Sequence, residues 1–402
     1  MELRAAALAL FVLAVPLTVP VVAQEVDGPP LANCLAQIKP DALARGVPDA
    51  LYDRITAGML SDVSVLGFLD DQPEQVSPIW DYLALLVDAE KISDGKRALI
   101  EHREILERVS RVYGVDVHTL AALWGVEADF GKTIGRRMIF RSLATLGCMA
   151  PRRRDYFKSE FIAALRVAAS GEVDPAKMRG SWAGAFGHPQ FMPTVWSRLA
   201  VDFDADGKRD IIGSMPDYLA SMANYLKRAG WVPGQSWGLE VKLPANFNEA
   251  LAGRTKKRAL ARWAALGVKR ADGRPLAGAG DAGLILPAGK SGPAFLVFKN
   301  FDVIYTYNAA TSYALAIGHL SDRLRGGGPF ATAWPTDEKP LDRKGRKELQ
   351  TLLLQRGFAI GEADGVIGKR TREAIREIEG RAGLPLTGRA TEAALQALRR
   401  GR

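Results

Sequence analysis

A glutamate on the apolar face of a short helix limits what this chain can become. Residues Leu120–Gly131 read LAALWGVEADFG. Asp116 is placed to cap a helix there, and Leu120, Leu123 and Trp124 recur at the spacing of one helical face. Glu127 falls on that face one turn later, with Phe130 just beyond. Desolvation there would raise the carboxyl toward neutrality, and a partly protonated acid in an apolar cleft is the proton donor that glycosidic cleavage needs. The other reading is a structural glutamate paired with an arginine from Arg136–Arg137, and the helix alone leaves both open.

About fifty residues on, Gly180–Pro193 reads GSWAGAFGHPQFMP. Neither a helical nor a strand period fits this Gly- and aromatic-rich stretch, so it is expected as a loop or short turns lining a cleft. Ser181 is placed to orient Glu127, and Gln190 and Phe191 to contact a sugar; a tight core crossover without function is the alternative. WGVEADFG, LATLGCMAPRRRDYF, GSWAGAFGHPQFMP, AVDFDADG and YNAATSYALA occur in an order and rough spacing that resemble the membrane-bound lytic transglycosylase B family, which cleaves peptidoglycan. The resemblance covers about residues 30 to 330.

The N-terminus carries Arg4, an apolar run from Ala5 to Val22 and a small residue, Ala23. This is the pattern of a secretory signal peptide, 1–23, cleaved after Ala23. Leu31-Ala32-Asn33-Cys34 is a poor lipoprotein box, so lipid anchoring is not expected. With no other long apolar run, the mature chain is expected in the periplasm without a transmembrane span. Its 402 residues suggest two domains, and its net charge of +9 suggests an anionic polymer as partner. Export argues against nucleic acid; peptidoglycan glycan strands carry peptide carboxylates. Nothing specifies an oligomeric state, and a monomer is assumed. The two cysteines, Cys34 and Cys148, suit a disulfide in an oxidising compartment, the preferred reading over two free thiols.

Residues 35 to 115 read as helices, Leu35–Arg45, Pro48–Gly58, Val76–Leu86 and Lys96–Tyr113, punctuated by Gln72-Pro73-Glu74 and Ser93-Asp94-Gly95. Arg152 and Arg153 match, by the resemblance, an arginine pair in the substrate groove, where they would bind stem-peptide carboxylates. Asp202, Asp204, Asp206 and Gly207, with the carbonyl of Lys208, form the front half of an EF-hand loop. Gly213 stands where the closing acid belongs, Asp210 is a candidate at position 9, and Asp217 is the later carboxylate available. A structural Ca²⁺ or Na⁺ is expected, with no cofactor required for chemistry; a polar turn without metal is the alternative.

Asp217–Lys227 reads as a helix, and 231–244 and 284–305 as strand-rich, including AFLVFKNFDVIY. By the resemblance, Tyr225, Tyr307, Asn308 and Tyr313 belong to the cleft. Asn308 would otherwise cap the helix Ala314–Leu324, and Tyr225 would otherwise be core.

Gly326-Gly327-Gly328-Pro329 and Trp334-Pro335 mark a hinge; a catalytic domain, 24–330, thus precedes a linker, 331–340, and a module, 341–400. Leu341–Arg356, Thr371–Ile378 and Thr391–Leu398 read as three helices, and LQTLLLQRGF with DGVIGKRT resembles the peptidoglycan-binding domain type 1. Glu379 departs from the glutamine frequent there. The expected fold is α+β, mainly α, with a lysozyme-like catalytic domain and a small three-helix C-terminal module.

Ordinary glycosidases use two carboxylates. Asp129 is expected about 200° around the helix from Glu127, leaving one candidate acid. One carboxyl suffices if the muramyl C6 hydroxyl, in place of water, attacks C1 and closes a 1,6-anhydro ring. That product is what the resemblance implies. A water-using muramidase and a catalytically silent wall-binding protein are the rival readings.

Overall fold

The Val117–Ala128 helix runs through the middle of the molecule, and the other elements are arranged about it. The computed structural model describes residues 25–69 and 77–401. The expected signal peptide and the Gln72-Pro73-Glu74 break lie outside the described residues. Asp116 caps the central helix as expected, accepting from the N–H groups of His118 and Thr119 at 3.1 Å each. The expected single apolar face is wrong, however: every residue from Thr119 to Gly125 is buried. A helix enclosed on all sides needs no polar face, and only its two ends emerge.

Around it pack the helices Ile79–Leu86, Ala89–Glu101, Arg103–Tyr113, Ile139–Met149, Met215–Arg228 and Thr311–Leu324. The expected Lys96–Tyr113 helix is two helices, broken at His102. The first starts at Ala89, where the Asp88 side chain accepts from the Lys91 N–H at 2.7 Å. Ser93-Asp94-Gly95 therefore lies inside a helix rather than between two. Gly95 serves close packing: a Cβ there would sit 2.6 Å from Leu324 and 2.8 Å from Phe130. Cys34 and Cys148 form a disulfide that joins the Ala32–Ala44 helix to Ile139–Met149.

A five-stranded antiparallel sheet forms a side lobe, in the order Gly253–Ala259, Asp281–Ile285, Ala294–Val297, Gly238–Lys242, Lys269–Arg270. Trp263, Leu284 and Leu296 are at its core. The strand expected to run on to Tyr305 stops at Val297, and Lys299–Asn308 is a helix. Phe301 and Ile304, one turn apart, are buried in the main core, and this outweighs the β-branched and aromatic composition.

The C-terminal helices Arg343–Gln355, Lys369–Ala382 and Glu392–Arg399 enclose a separate core of Leu349, Leu353, Ile375, Ile378, Leu395 and Leu398. The connection to them is tethered, not a free hinge. The N–H groups of Ala331 and Thr332 donate to Glu240 at 2.7 Å each, and Phe330 and Trp334 pack on the main core. Arg389 grips Asp81 with two hydrogen bonds of 2.7 and 2.8 Å, and Arg136 lies 3.3 Å from Glu362. The module thus rests against the mouth of a cleft.

Candidate active site

That cleft, about 530 Å³, opens at the end of the central helix. Glu127 lies in the helix's last turn and lines it with Val126, Asp129, Ser181 and Trp182. The phenol of Tyr313, from the Thr311–Leu324 helix, donates a hydrogen bond to Oε1 of Glu127. Burial, then the charge of Glu127, then Tyr307 push the Tyr313 hydroxyl well above its ordinary value, so it stays a protonated donor. Tyr307 stacks beside it with ring centroids 6.3 Å apart and donates to the Pro189 carbonyl at 2.8 Å. Burial first, and Glu127 next, raise that phenol too. One side of Glu127 is therefore a wall of neutral aromatic hydroxyls.

The other side is ionic. Asp129 ends the helix in a left-handed conformation, with φ of 48°, and Phe130 follows with φ of 57°. This turn corrects the expected geometry: extrapolating the helix by 200° is invalid once the helix has stopped, and Asp129 faces the same cleft as Glu127. It is nonetheless committed. Lys91 lies 2.7 Å from one oxygen and Arg343 3.3 Å from the other. Burial works to raise the Asp129 carboxyl, and the two cations outweigh it, leaving it below the usual carboxylate range. The arginines weighed as partners for Glu127 are held elsewhere: Arg137 binds Asp62, and Arg136 faces Glu362.

The 180–191 segment is irregular, as expected, pinned by short bridges of Gly180 and Phe191 to Phe186. Ser181 lines the cleft, but its hydroxyl accepts from the Ala185 N–H at 3.1 Å; the bond to Glu127 comes from Tyr313. Gln190 spends both amide hydrogens on the carbonyls of Ile134 and Gly187, at 2.9 and 2.8 Å. Phe191 is buried and backs the cluster of Tyr225 and Tyr307, whose centroids are 4.5 Å apart. Tyr225 donates to the Thr306 carbonyl at 2.8 Å. Asn308 is exposed at the end of the Lys299–Asn308 helix and caps no other, since Ala310 precedes Thr311. Arg152 and Arg153 are exposed and do not line the Glu127 cavity: Arg152 donates to the Leu69 carbonyl, and the Arg153 guanidinium sits 4.4 Å above the Tyr156 ring.

Three groups escaped the sequence reading. Phe68 and Trp182 stack at 5.9 Å as a flat platform in the cleft wall; Trp182 stood inside the quoted motif. Lys91 and Arg343 had no local signal. His188 also joins the site's frame, accepting from the Trp124 indole at 3.1 Å and stacking on Tyr218 at 3.9 Å. Burial lowers it to about 4, which keeps it the neutral acceptor that the indole requires.

Away from the cleft, Asp202, Asp204, Asp206 and Asp217 each bring a carboxylate oxygen within 4.8 Å of the others. Asp217 is buried, at the start of the Met215–Arg228 helix, and accepts from the N–H groups of Phe203 and Asp210 at 2.7 and 2.9 Å. Among the described residues none of the four is paired with a lysine or arginine. Four gathered anions without a cation of their own suit a hard, oxygen-seeking metal ion. Asp210 instead braces the turn, accepting from the N–H groups of Ile212 and Gly213 at 2.9 Å each. Lys208 is exposed, and its N–H donates to Asp206 at 2.8 Å.

A family model described as Transglycosylase SLT domain matches residues 31–322, and one for a peptidoglycan binding domain matches 342–398. The chain is similar to membrane-bound lytic murein transglycosylase B of Escherichia coli strain K12: 32% identical over 276 residues, 65% of this chain and 74% of that protein. Among solved structures it is similar to SltB3 from Pseudomonas aeruginosa in complex with NAG-anhNAM-pentapeptide. That likeness has 43% identity and a TM-score of 0.74, covering 92% of this chain and 100% of the other. It is also similar to the Escherichia coli enzyme Slt35 in complex with calcium, with 28% identity and a TM-score of 0.64, covering 75% and 96% of the two chains.

Proposed function

Because this chain belongs to the transglycosylase SLT domain family and is a lytic transglycosylase, we propose that Glu127 acts as acid and then base on peptidoglycan glycan strands. Glu127 gives its proton to the oxygen linking N-acetylmuramic acid to N-acetylglucosamine, and the C1–oxygen bond breaks. The leaving sugar keeps that proton as its new hydroxyl. The positive charge at C1 is eased by the muramyl N-acetyl carbonyl. Glu127, now a carboxylate, takes the proton of the C6 hydroxyl as that oxygen bonds to C1, closing a 1,6-anhydro ring and restoring the acid. Holding the attacking hydroxyl within the same sugar replaces a second catalytic carboxyl.

The observation that carries this reading is the Glu127–Tyr313 hydrogen bond inside a cleft whose wall is the Phe68–Trp182 stack. A neutral donor, the Tyr313 phenol, fixes one carboxyl oxygen and adds no charge of its own. An aromatic platform suits the apolar face of a sugar ring. The SltB3 complex with an anhydromuramyl product supports the ring-closing outcome. Glu127→Gln keeps the shape and removes the transferable proton; turnover of purified sacculi is expected to fall at least about a hundredfold.

In this reading Ser181 lines the groove, Gln190, Phe191, Tyr225 and Tyr307 form its frame, and Asn308, Arg152 and Arg153 would contact the strand beyond the Glu127 cavity. Asp202, Asp204, Asp206 and Asp217 would hold a calcium or sodium ion, which would tie the loop to the Met215–Arg228 helix and take no part in the chemistry. The C-terminal helices would bind the polymer. With peptidoglycan as substrate, the enzyme would work in the periplasm, reached through the 1–23 signal. No helix among the described residues is long and apolar enough to cross a membrane.

A further inference from the structure

The backbone just beyond Glu127 is held where L residues rarely sit. Asp129 and Phe130 are both left-handed, and such a turn persists only when its surroundings over-determine it. On one side the Phe130 ring fills the space that Gly125 leaves; a Cβ at Gly125 would collide with it. On the other side stands a buried group of charges drawn from three parts of the chain. Lys91 Nζ donates to the Gly125 carbonyl at 2.8 Å, a helix-terminal acceptor, and to Asp129 at 2.7 Å. Arg343, from the C-terminal module, lies 3.3 Å from Asp129, 3.3 Å from Asp88 and 3.4 Å from Glu90. Asp88 in turn caps the helix that carries Lys91.

We infer that Arg343 is a positioning residue for Glu127, so that the C-terminal module holds the catalytic helix end in working geometry. The inference rests on Glu127 as acid and base. Burial opposes the charge on Lys91, and Asp129 supports it. Asp129 takes Lys91 on one oxygen and Arg343 on the other, so the carboxylate of the turn is held from both sides. Without Arg343 the carboxylates of Asp88 and Asp129, 6% and 16% exposed, share one cation fewer. The turn then relaxes, and Glu127, two residues before Asp129, shifts against Tyr313. Misplacement by an ångström is enough to cost about a hundredfold in rate, so a partial shift is expected to cost less. A separate interdomain contact, Arg389 to Asp81, touches neither the central helix nor Lys91 and serves as control.

The test uses the full chain and a short soluble muropeptide of two disaccharides, so that anchoring to insoluble wall plays no part. Arg343→Ala is expected to lower kcat roughly tenfold with KM within about twofold, and Arg343→Lys to recover part of the loss, because a point charge replaces a fork. Arg389→Ala is expected to leave kcat unchanged. Should Arg343→Ala melt below the assay temperature, Arg343→Lys carries the test, with kcat expected about threefold down. An unchanged kcat in the Arg343 variants overturns the inference, and so does an equal loss in Arg389→Ala. Glu127→Gln, assayed alongside, separates the two claims: if it stays active, the acid–base reading fails; if it is dead while the Arg343 variants are normal, only the positioning role fails.

Discussion

The cleft and the 202–217 loop both gather acidic side chains, but the molecule treats them differently. In the cleft, Asp129 is matched to Lys91 and Arg343, and Glu127 meets the neutral phenol of Tyr313. In the loop, four carboxylates converge with no lysine or arginine among the described residues to balance them. Carboxyl groups of one chemical kind thus acquire three roles from their partners. In the proposed reading, cations make Asp129 structural, a neutral donor would leave Glu127 able to exchange a proton, and an anionic ring would suit the loop to a metal ion.

If that contrast is right, the two regions fail separately. Glu127→Gln is expected to remove at least about a hundredfold of turnover while leaving the melting temperature within a degree or so, since the amide keeps the shape and can still accept from Tyr313. A large fall in melting temperature would make Glu127 a structural group. The loop should show the reverse. Calcium at about thirty times its Kd is expected to stabilise the fold by roughly 2 kcal/mol, seen as a melting shift of several degrees that a chelator reverses. The rate on a soluble muropeptide should then stay within about twofold, and Asp204→Asn should erase the shift. A rate that tracks calcium would join what the account keeps apart.

Tyr313→Phe comes next, with about a tenfold loss expected from one hydrogen bond to the reacting carboxyl. Because burial and the charge of Glu127 raise the Tyr313 hydroxyl, the donor remains protonated as pH rises past its ordinary value. The wild-type rate should therefore show no loss from this group up to about pH 10, where an ordinary tyrosine would be half ionised. The smallest effect concerns the exposed pair of Arg136, 72% exposed, with Glu362. Arg136→Ala is expected to alter stability by no more than about 1 kcal/mol, measured by denaturant unfolding.

Much of this was legible before the structure, for physical reasons. Asp116 as a cap and Glu127 on the helix that it starts are local features, and local spacing reports them. The four loop aspartates follow from ligand geometry within a short segment. The lysozyme-like, mainly helical fold with its helical C-terminal module also stands. The ionic half of the site was hidden because Lys91, Asp129 and Arg343 meet only through tertiary contact, and no spacing encodes a pair 214 residues apart. Ser93-Asp94-Gly95 looked like a break because glycine usually marks one; here its missing side chain admits Phe130 and Leu324. Lys299–Asn308 looked like a strand because strand preference reports side-chain surroundings more than backbone.

The decisive measurement is digestion of purified sacculi in heavy-oxygen water, with every muropeptide end read by mass. A carboxyl that donates a proton and reclaims it while the sugar closes on itself should yield anhydromuramyl ends containing no heavy oxygen, and Glu127→Gln should yield almost none of them. Reducing ends that carry one heavy oxygen would show that water is the attacking group and would contradict the account.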